Sequence, residues 1–180
     1  EPVRNLMGCN MSFRRTVFAQ VGGFNEGLGR VGRIPLGCEE TELCIRASGA
    51  NPGSQILFEP AALVRHHVST DRLTWRYLLR RCYAEGLSKA AIAGMVGQQQ
   101  ALSTERGYAT RVLPRAVARE LAAAARPGET GRARAVGGAA AVVLALVATV
   151  GGYLRAKAAD TRSALASPAP SLRLAQSRER

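Results

Sequence analysis

Over the first seventy residues, short apolar clusters alternate with polar, glycine-marked breaks; from about residue 70 the apolar spacing lengthens to a helical period. "NLMGCNMSF" is short and apolar, as for a strand leading into a loop. In "SFRRTVFAQVGGF", Val17, Phe18 and Val21 share one face. Ser12 is placed to cap the start and Gly22-Gly23 to stop the end, which predicts a short helix. A glycine-rich loop, "NEGLGRVGRIPLG", follows. "EETELCIRASGA" predicts a second helix, with its acids in the first turn where the helix dipole favours them, Leu43, Ile45 and Ala47 as apolar contacts, and Gly49 at its end. "SQILFEP" and "AALVRHHV" predict two strands broken by Pro60.

From Thr70, "TDRLTWRYLLRRCYAEGLSKAAIAG" predicts a long helix. Arg72, Arg76 and Arg80 form a basic stripe opposite Leu78, Leu79, Cys82 and Tyr83, and Trp75 is an anchor at a core or a membrane interface. A second helix around Tyr108 to Arg126 repeats the stripe with Arg111, Arg115 and Arg119, and Pro114 kinks or starts it. After a turn at "RPGETGR" comes an uncharged run of twenty, Ala135 to Leu154, flanked by Arg132 and Arg134 before it and Arg155 and Lys157 after it. A bilayer core needs about 20 apolar residues, so the run is long enough to span. Its Ala, Gly and Val content leaves a buried or surface-lying hairpin helix equally open. The final stretch reads as a disordered polar tail. The predicted units are 1–70, 71–130, 131–158 and 159–180.

Charge sharpens this division. Up to Asp71 seven Lys/Arg balance seven Asp/Glu, and from Arg72 eighteen basic residues meet six acidic ones, which supplies the whole net charge of +12. The second part therefore reads as lying against an anionic membrane surface. Nucleic acid is not the expected partner, because aromatic residues are sparse there and no reading module is evident. Cys9, Cys38, Cys44 and Cys82 show no CxxC spacing, which weakens a zinc or thioredoxin-like reading, and the thiols are read as reduced. The chain opens "EPVRNLMGCN", without an initiator Met or a signal peptide, and is expected to be the later part of a longer protein.

Against this basic background, "GCEETELCIR" sets Glu39, Glu40 and Glu42 within four residues. Taken alone, that is a solvated helix start, a metal site, or a place where a carboxylate does chemistry. The neighbouring segments supply context. "GCNMSFRRTVFAQVGGFNEGLG", then "GCEETELCIRA", then "FEPAALVRHHV" resemble, in order and spacing, the closing half of the catalytic domain of family 2 glycosyltransferases of the GT-A fold. The matching positions are Gly8, Asn10, Arg14 and Arg15; Val21 to Phe24; Glu39, Glu40, Glu42, Leu43 and Arg46; and His66. The resemblance runs from about Leu6 to Lys89. It departs from the family in having Glu39-Glu40 where Glu-Asp is usual, and no Asp-x-Asp occurs in the chain.

The resemblance implies an α/β fold: a partial GT-A domain followed by basic amphipathic helices and an apolar helix. It implies a transferase that moves a sugar, with inversion, from a nucleotide-sugar donor to a hydroxyl acceptor, in cell-envelope or polysaccharide synthesis. An acceptor hydroxyl is a poor nucleophile at neutral pH, so a general base is needed, and the resemblance assigns Glu40 to it with Glu39 orienting the loop. Asn10, Arg14 and Arg15 would contact substrate. His66, rather than His67 on the opposite strand face, would help hold a divalent metal (Mg or Mn) or the donor diphosphate, most of the metal's ligands coming from the upstream half. Glu42 and Arg46, four apart, would form a helix-surface pair. The expected location is the cytoplasmic side of the cell membrane, peripheral or single-pass. A basic membrane-associated adaptor, with a merely structural acidic helix, is the non-catalytic alternative, ahead of nucleic-acid binding.

Overall fold

The computed structural model describes residues 1–30, 36–125 and 129–166. In chain order they form β1 (Pro2–Val3), α1 (Arg15–Val21), α2 (Glu39–Ala50), β2 (Ile56–Leu57), a 3-10 turn (Thr70–Arg72), α3 (Trp75–Val96), α4 (Gln98–Ala101), α5 (Ser103–Gly107), a π-helical turn (Tyr108–Val112), α6 (Leu113–Ala124) and α7 (Glu129–Ala166). The chain is mostly helical. Parts of the glycine-rich loop and of the "RPGETGR" turn, and the tail from residue 167, lie outside the described residues.

The α/β layering expected from the sequence is not seen. The described residues hold one two-stranded antiparallel ribbon, β1 against β2, pairing Pro2 with Leu57 and Val3 with Ile56. "AALVRHHV" is not a strand, and the reason is pairing: its β-branched residues have no neighbouring strand among the described residues. Local turns take its first amides instead, Ala62 N–H donating to the Glu59 carbonyl and Leu63 N–H to that of Ala61. Leu63 is left 88% exposed.

Helix boundaries follow local chemistry. Helix α1 begins at Arg15 with Arg14 as its cap, so Ser12 does not cap it; Gly22, at φ +79°, ends it by donating to the Phe18 carbonyl. Phe13, Phe18 and Phe24 then close edge-on around that end, with ring centres 5.5–6.5 Å apart. Helix α2 runs to Ala50, one residue past Gly49. Helix α3 starts at Trp75 because the Thr74 hydroxyl accepts from Tyr77 N–H at 3.2 Å. Arg72 therefore falls in the 3-10 turn and not on the helix, with its guanidinium 5.7 Å from the centre of the Tyr77 ring, and the basic stripe on α3 shortens to Arg76 and Arg80. Pro114 sits in the first turn of α6. Without an N–H, and with a ring that crowds the preceding turn, it accounts for the widened π turn just before it.

Helix α7 carries the apolar run and continues to Ala166, so a tail boundary at residue 159 falls inside a helix. Residues Gly131–Asp160 are long and apolar enough to cross a membrane; their most apolar 18 residues have a mean hydropathy of 2.1, and only 17% of that stretch is buried. A core helix of a soluble domain would be mostly covered. Helix α7 instead packs on α3 and α6 along part of its circumference and exposes Val136, Val143, Val147 and Leu154. The α3 contact is backbone to backbone. A Cβ on Gly86 would land on the Thr149 carbonyl, and a Cβ on Gly152 on the Tyr83 carbonyl. Small residues here let two helices approach more closely than side chains would permit.

Helices α2, α3 and α4 enclose a small core of Cys38, Ile92, Ala93 and Ala101, with Leu28, Ile45 and Tyr153 against it. On α2, Leu43 and Cys44 are fully buried.

Gly152→Ala should therefore lower the unfolding free energy by about 1–3 kcal/mol, the usual cost of overpacking. Gly151→Ala, one residue earlier with open space around it, should be neutral or gain up to about 1 kcal/mol of helix propensity. Thermal or denaturant melting of the two variants compares them directly; equal stabilities would show that α3 and α7 do not meet at Gly152.

Candidate active site

The acidic turn begins at an unusual backbone position. Cys38, the N-cap of α2, has φ +76°, the only left-handed non-glycine residue among those described. A β-carbon there costs energy, so surrounding contacts must hold it. Gly37 N–H donates to the Ser88 hydroxyl at 3.1 Å, Cys38 Sγ–H donates to Glu85 Oε1 at 3.2 Å, and the Arg81 guanidinium lies against Gly37. All three anchors are on α3. The start of α2 is thus bolted to α3, and the next two residues, Glu39 and Glu40, leave that bolt in a defined direction.

Each carboxylate meets a glycine. Glu40 lies on Gly8, where a Cβ would collide with Glu40 Oε1. Glu39 lies against Gly29, itself buried with φ +93°, and its Oε2 is buried without a hydrogen-bond partner among the described residues. Gly8 belongs to the turn closed by the Met7–Asn10 bridge. That turn forms one wall of a groove of about 510 Å³, and the segment from Leu57 to Val64 forms the other. Asn10 joins the two walls, its amide donating to the Ala62 carbonyl at 2.5 Å.

Of the residues singled out in the sequence, the structure brings Glu40, the Gly8 turn and Asn10 together. Arg14 and Arg15 are exposed at the start of α1 and do not border the groove. His66 and His67 lie in exposed, non-strand chain, so no strand alternation separates them, and neither borders the groove. Among the described residues no three potential metal-ligating side chains stand together. The described residues thus do not by themselves make a metal site. The Glu42–Arg46 pair forms at 2.5 Å but is no surface pair, since Glu42 is 4% exposed. Arg46 also donates to the carbonyls of Val21 and Gly23, and so clamps the end of α1 to α2.

Sequence reasoning missed the ionic chain behind the acidic turn. Arg4 grips Glu105 with two bonds of 3.0 Å; Lys89 donates to Glu105 at 2.9 Å and reaches Glu85 at 3.3 Å; Arg81 holds the other oxygen of Glu85 at 2.8 Å. Its only visible signal was the i,i+4 series Arg81, Glu85, Lys89 on a helix otherwise read by its arginine stripe. Burial works against the charges of Glu85, Glu105 and Lys89. For Glu85, the Lys89 ammonium, the Cys38 bond and Arg81 outweigh burial and hold the carboxyl below its ordinary range. For Glu105, Lys89 and Arg4 do the same. Lys89 itself is lifted, against burial, by its bond to Glu105 and the nearby negative charges. Burial, then the charge of Glu85, pushes the Cys38 thiol up to about 12, so it is a neutral donor and not a nucleophile.

Glu40 touches Gly8 but does not itself line the groove, so the structure joins it to the groove only through the Gly8 turn. Comparison with known proteins supplies the class: the chain is related to glycosyltransferases. Over 89 residues, 49% of the chain, it is 35% identical to a glucosyl-dolichyl phosphate glucuronosyltransferase of Haloferax volcanii. The matched stretch covers 28% of that protein's length. No family model matches, and no solved structure matches.

The ionic chain makes a pH prediction. Glu85 and Glu105 titrate below the ordinary carboxylate value of 4.5, and Lys89 above 10.5. The carboxylates' contribution to stability is complete above 4.5 and is lost as pH falls through their folded-state values. That of Lys89 is complete below 10.5 and is lost as pH rises through its own. Melting temperature should therefore hold level between these limits and fall outside them. Glu105→Gln should lower the plateau and flatten the acid limb; an acid limb as steep as the parent's would mean that other carboxylates drive acid unfolding.

Proposed function

We propose that the chain carries the acceptor side of the active site of a membrane-associated, inverting glycosyltransferase with a GT-A catalytic domain. The observation that carries this reading is Glu40, a carboxylate seated on the Gly8 turn beside the groove, in a chain related to a glycosyltransferase. Glu40 takes the proton of an acceptor hydroxyl as its oxygen attacks the anomeric carbon of a nucleotide sugar. The sugar–phosphate bond breaks on the opposite face and the nucleoside diphosphate leaves. Glu39, buried against Gly29, fixes the loop that aims Glu40 and is a positioning residue. Asn10 keeps the two groove walls in register through Ala62, while Arg14 and Arg15 offer charge to substrate from the start of α1. The nucleotide-binding strands, and with them most ligands of a divalent metal to which His66 could contribute, are assigned to sequence upstream of this chain.

The relative's name specifies a sugar acceptor carried on a dolichyl phosphate. We assign this chain the same general kind of acceptor, a hydroxyl on a lipid-linked phosphate, reached at the membrane. The exposed apolar face of α7 and the exposed Arg76, Arg111, Arg115 and Arg119 support membrane contact. Nucleotide sugars are supplied in the cytoplasm, which puts the site on the cytoplasmic side, in cell-envelope or polysaccharide synthesis.

In the complete enzyme, Glu40→Gln keeps size and hydrogen bonding but removes the base, and should lower the transfer rate by about 10²–10⁴-fold. Glu39→Gln should cost less. Sugar transfer from a labelled nucleotide sugar reads both, and a parental rate in Glu40→Gln would remove Glu40 from the chemistry.

Each exposed arginine near an anionic leaflet contributes about 1 kcal/mol. Binding to vesicles should therefore weaken when phosphatidylserine is omitted or salt is raised. It should weaken again when Arg111, Arg115 and Arg119 become glutamine. A chain that floats with neutral and anionic vesicles equally, at any salt, would be held by α7 alone.

A further inference from the structure

A second cavity, of about 860 Å³, lies between α3, the π turn, α6 and α7. Leu78, Ala109, Leu113, Val142, Leu146 and Val150 make most of its lining. All its charge is gathered at one end, where Glu85, Lys89, Glu105 and Arg106 stand. Two of these, Glu85 and Glu105, are already satisfied by Lys89, Arg81 and Arg4, so the carboxylates are spent. The charged lining is two cations against two carboxylates, and Lys89 is held between Glu85 and Glu105, which leaves Arg106, exposed and without an ion pair among the described residues, as the uncommitted cation. The cavity is therefore apolar along its length with one uncommitted cation at its charged end.

We infer that this cavity seats the hydrocarbon chain of a phosphate-bearing lipid, with the phosphate at the Arg106 mouth. Three observations favour that occupant over another protein segment. First, one wall is α7, a helix apolar and long enough to cross a membrane, with apolar residues also exposed outside the cavity. Second, the wall facing α7 carries the π turn, whose extra residue widens the helix at Tyr108 and Ala109, both lining residues. Third, the charged end is linked to the groove through one side chain: Arg4 binds Glu105, a lining residue of the cavity, and its Nε donates to Asn5, a lining residue of the groove. The inference rests on the lipid-linked acceptor proposed above and locates its tail.

The test is photolabelling of the full chain in phosphatidylcholine nanodiscs with a diazirine-bearing farnesyl phosphate, the adducts mapped by mass spectrometry. Adducts should fall on the cavity-facing residues of α3, α6 and α7. Excess farnesyl phosphate should remove them; inorganic phosphate should not. Ala145→Phe, which fills the cavity, should reduce labelling at least fivefold with helicity preserved. Arg106→Gln, a surface change that leaves the core intact, should reduce competition by farnesyl phosphate severalfold and leave competition by farnesol unaltered. Adducts confined to Val143 and Val147, uncompeted and unchanged in both variants, would reduce the contact to bulk bilayer and overturn the inference. A protected cavity in a dimeric chain would assign it to a second copy, with the same consequence. In the complete enzyme, transfer to a lipid acceptor that survives Ala145→Phe would leave the proposed function standing without this seat. Competed cavity labelling without any sugar transfer would do the reverse.

Discussion

The structure depends on a chain of partly buried ionic contacts that runs from Arg4 through Glu105, Lys89 and Glu85 to Arg81. These five side chains come from the N-terminal segment, α3 and α5. A charge drawn partly out of water needs a partner, so each link depends on the next. Glu85 is the pivot. One of its oxygens receives the Cys38 thiol and faces Lys89, and the other receives Arg81. Through Cys38 the ionic chain reaches the start of α2, where it holds a left-handed backbone that a cysteine would not adopt unaided. The direction of Glu39 and Glu40 is therefore set from α3, well outside the acidic turn itself.

The same contacts reconcile two parts of the molecule with opposite physical character. The first seventy residues are charge-balanced, with polar turns; the remainder is basic and increasingly apolar toward α7. A boundary between such parts is ordinarily a linker. Here α3 serves both. Its Ser88 and Glu85 hold the acidic turn, and its Gly86 admits α7 to backbone contact. Because Gly86 falls between Glu85 and Ser88 in sequence, the apolar helix and the acidic turn are both held by residues of one turn of α3.

What was legible in the sequence was whatever depends on local rules. The glycine stop of α1, the acidic first turn of α2, the Pro114 boundary and the apolar run all follow from caps, dipoles and periodicity, and those elements are present. What failed depended on partners. "AALVRHHV" has the composition of a strand, but a strand exists only where another strand pairs with it. Arg72 fits the four-residue stripe, but Thr74 caps the helix behind it. Glu42 and Arg46 were legible as a pair from their spacing. Their burial was not, because the carbonyls that Arg46 also binds belong to α1, more than twenty residues earlier. The Arg4–Glu105 link, 101 residues apart, has no local signature at all.

An acid cluster in a chain of net charge +12 is thus two different things at once. Glu42 is structural: buried, paired and used to clamp α1. Glu40 is not consumed in that way; its carboxylate lies on the bare backbone of Gly8, a position that any larger residue would block. A side chain needed only for the helix dipole would tolerate any neighbour, since the dipole acts over the whole first turn. A carboxylate that requires a glycine beneath it has been given a specific position, and that glycine belongs to the turn that makes one groove wall, which Asn10 joins to the other through Ala62. That positional demand, rather than the density of acid, separates Glu40 from its two neighbours.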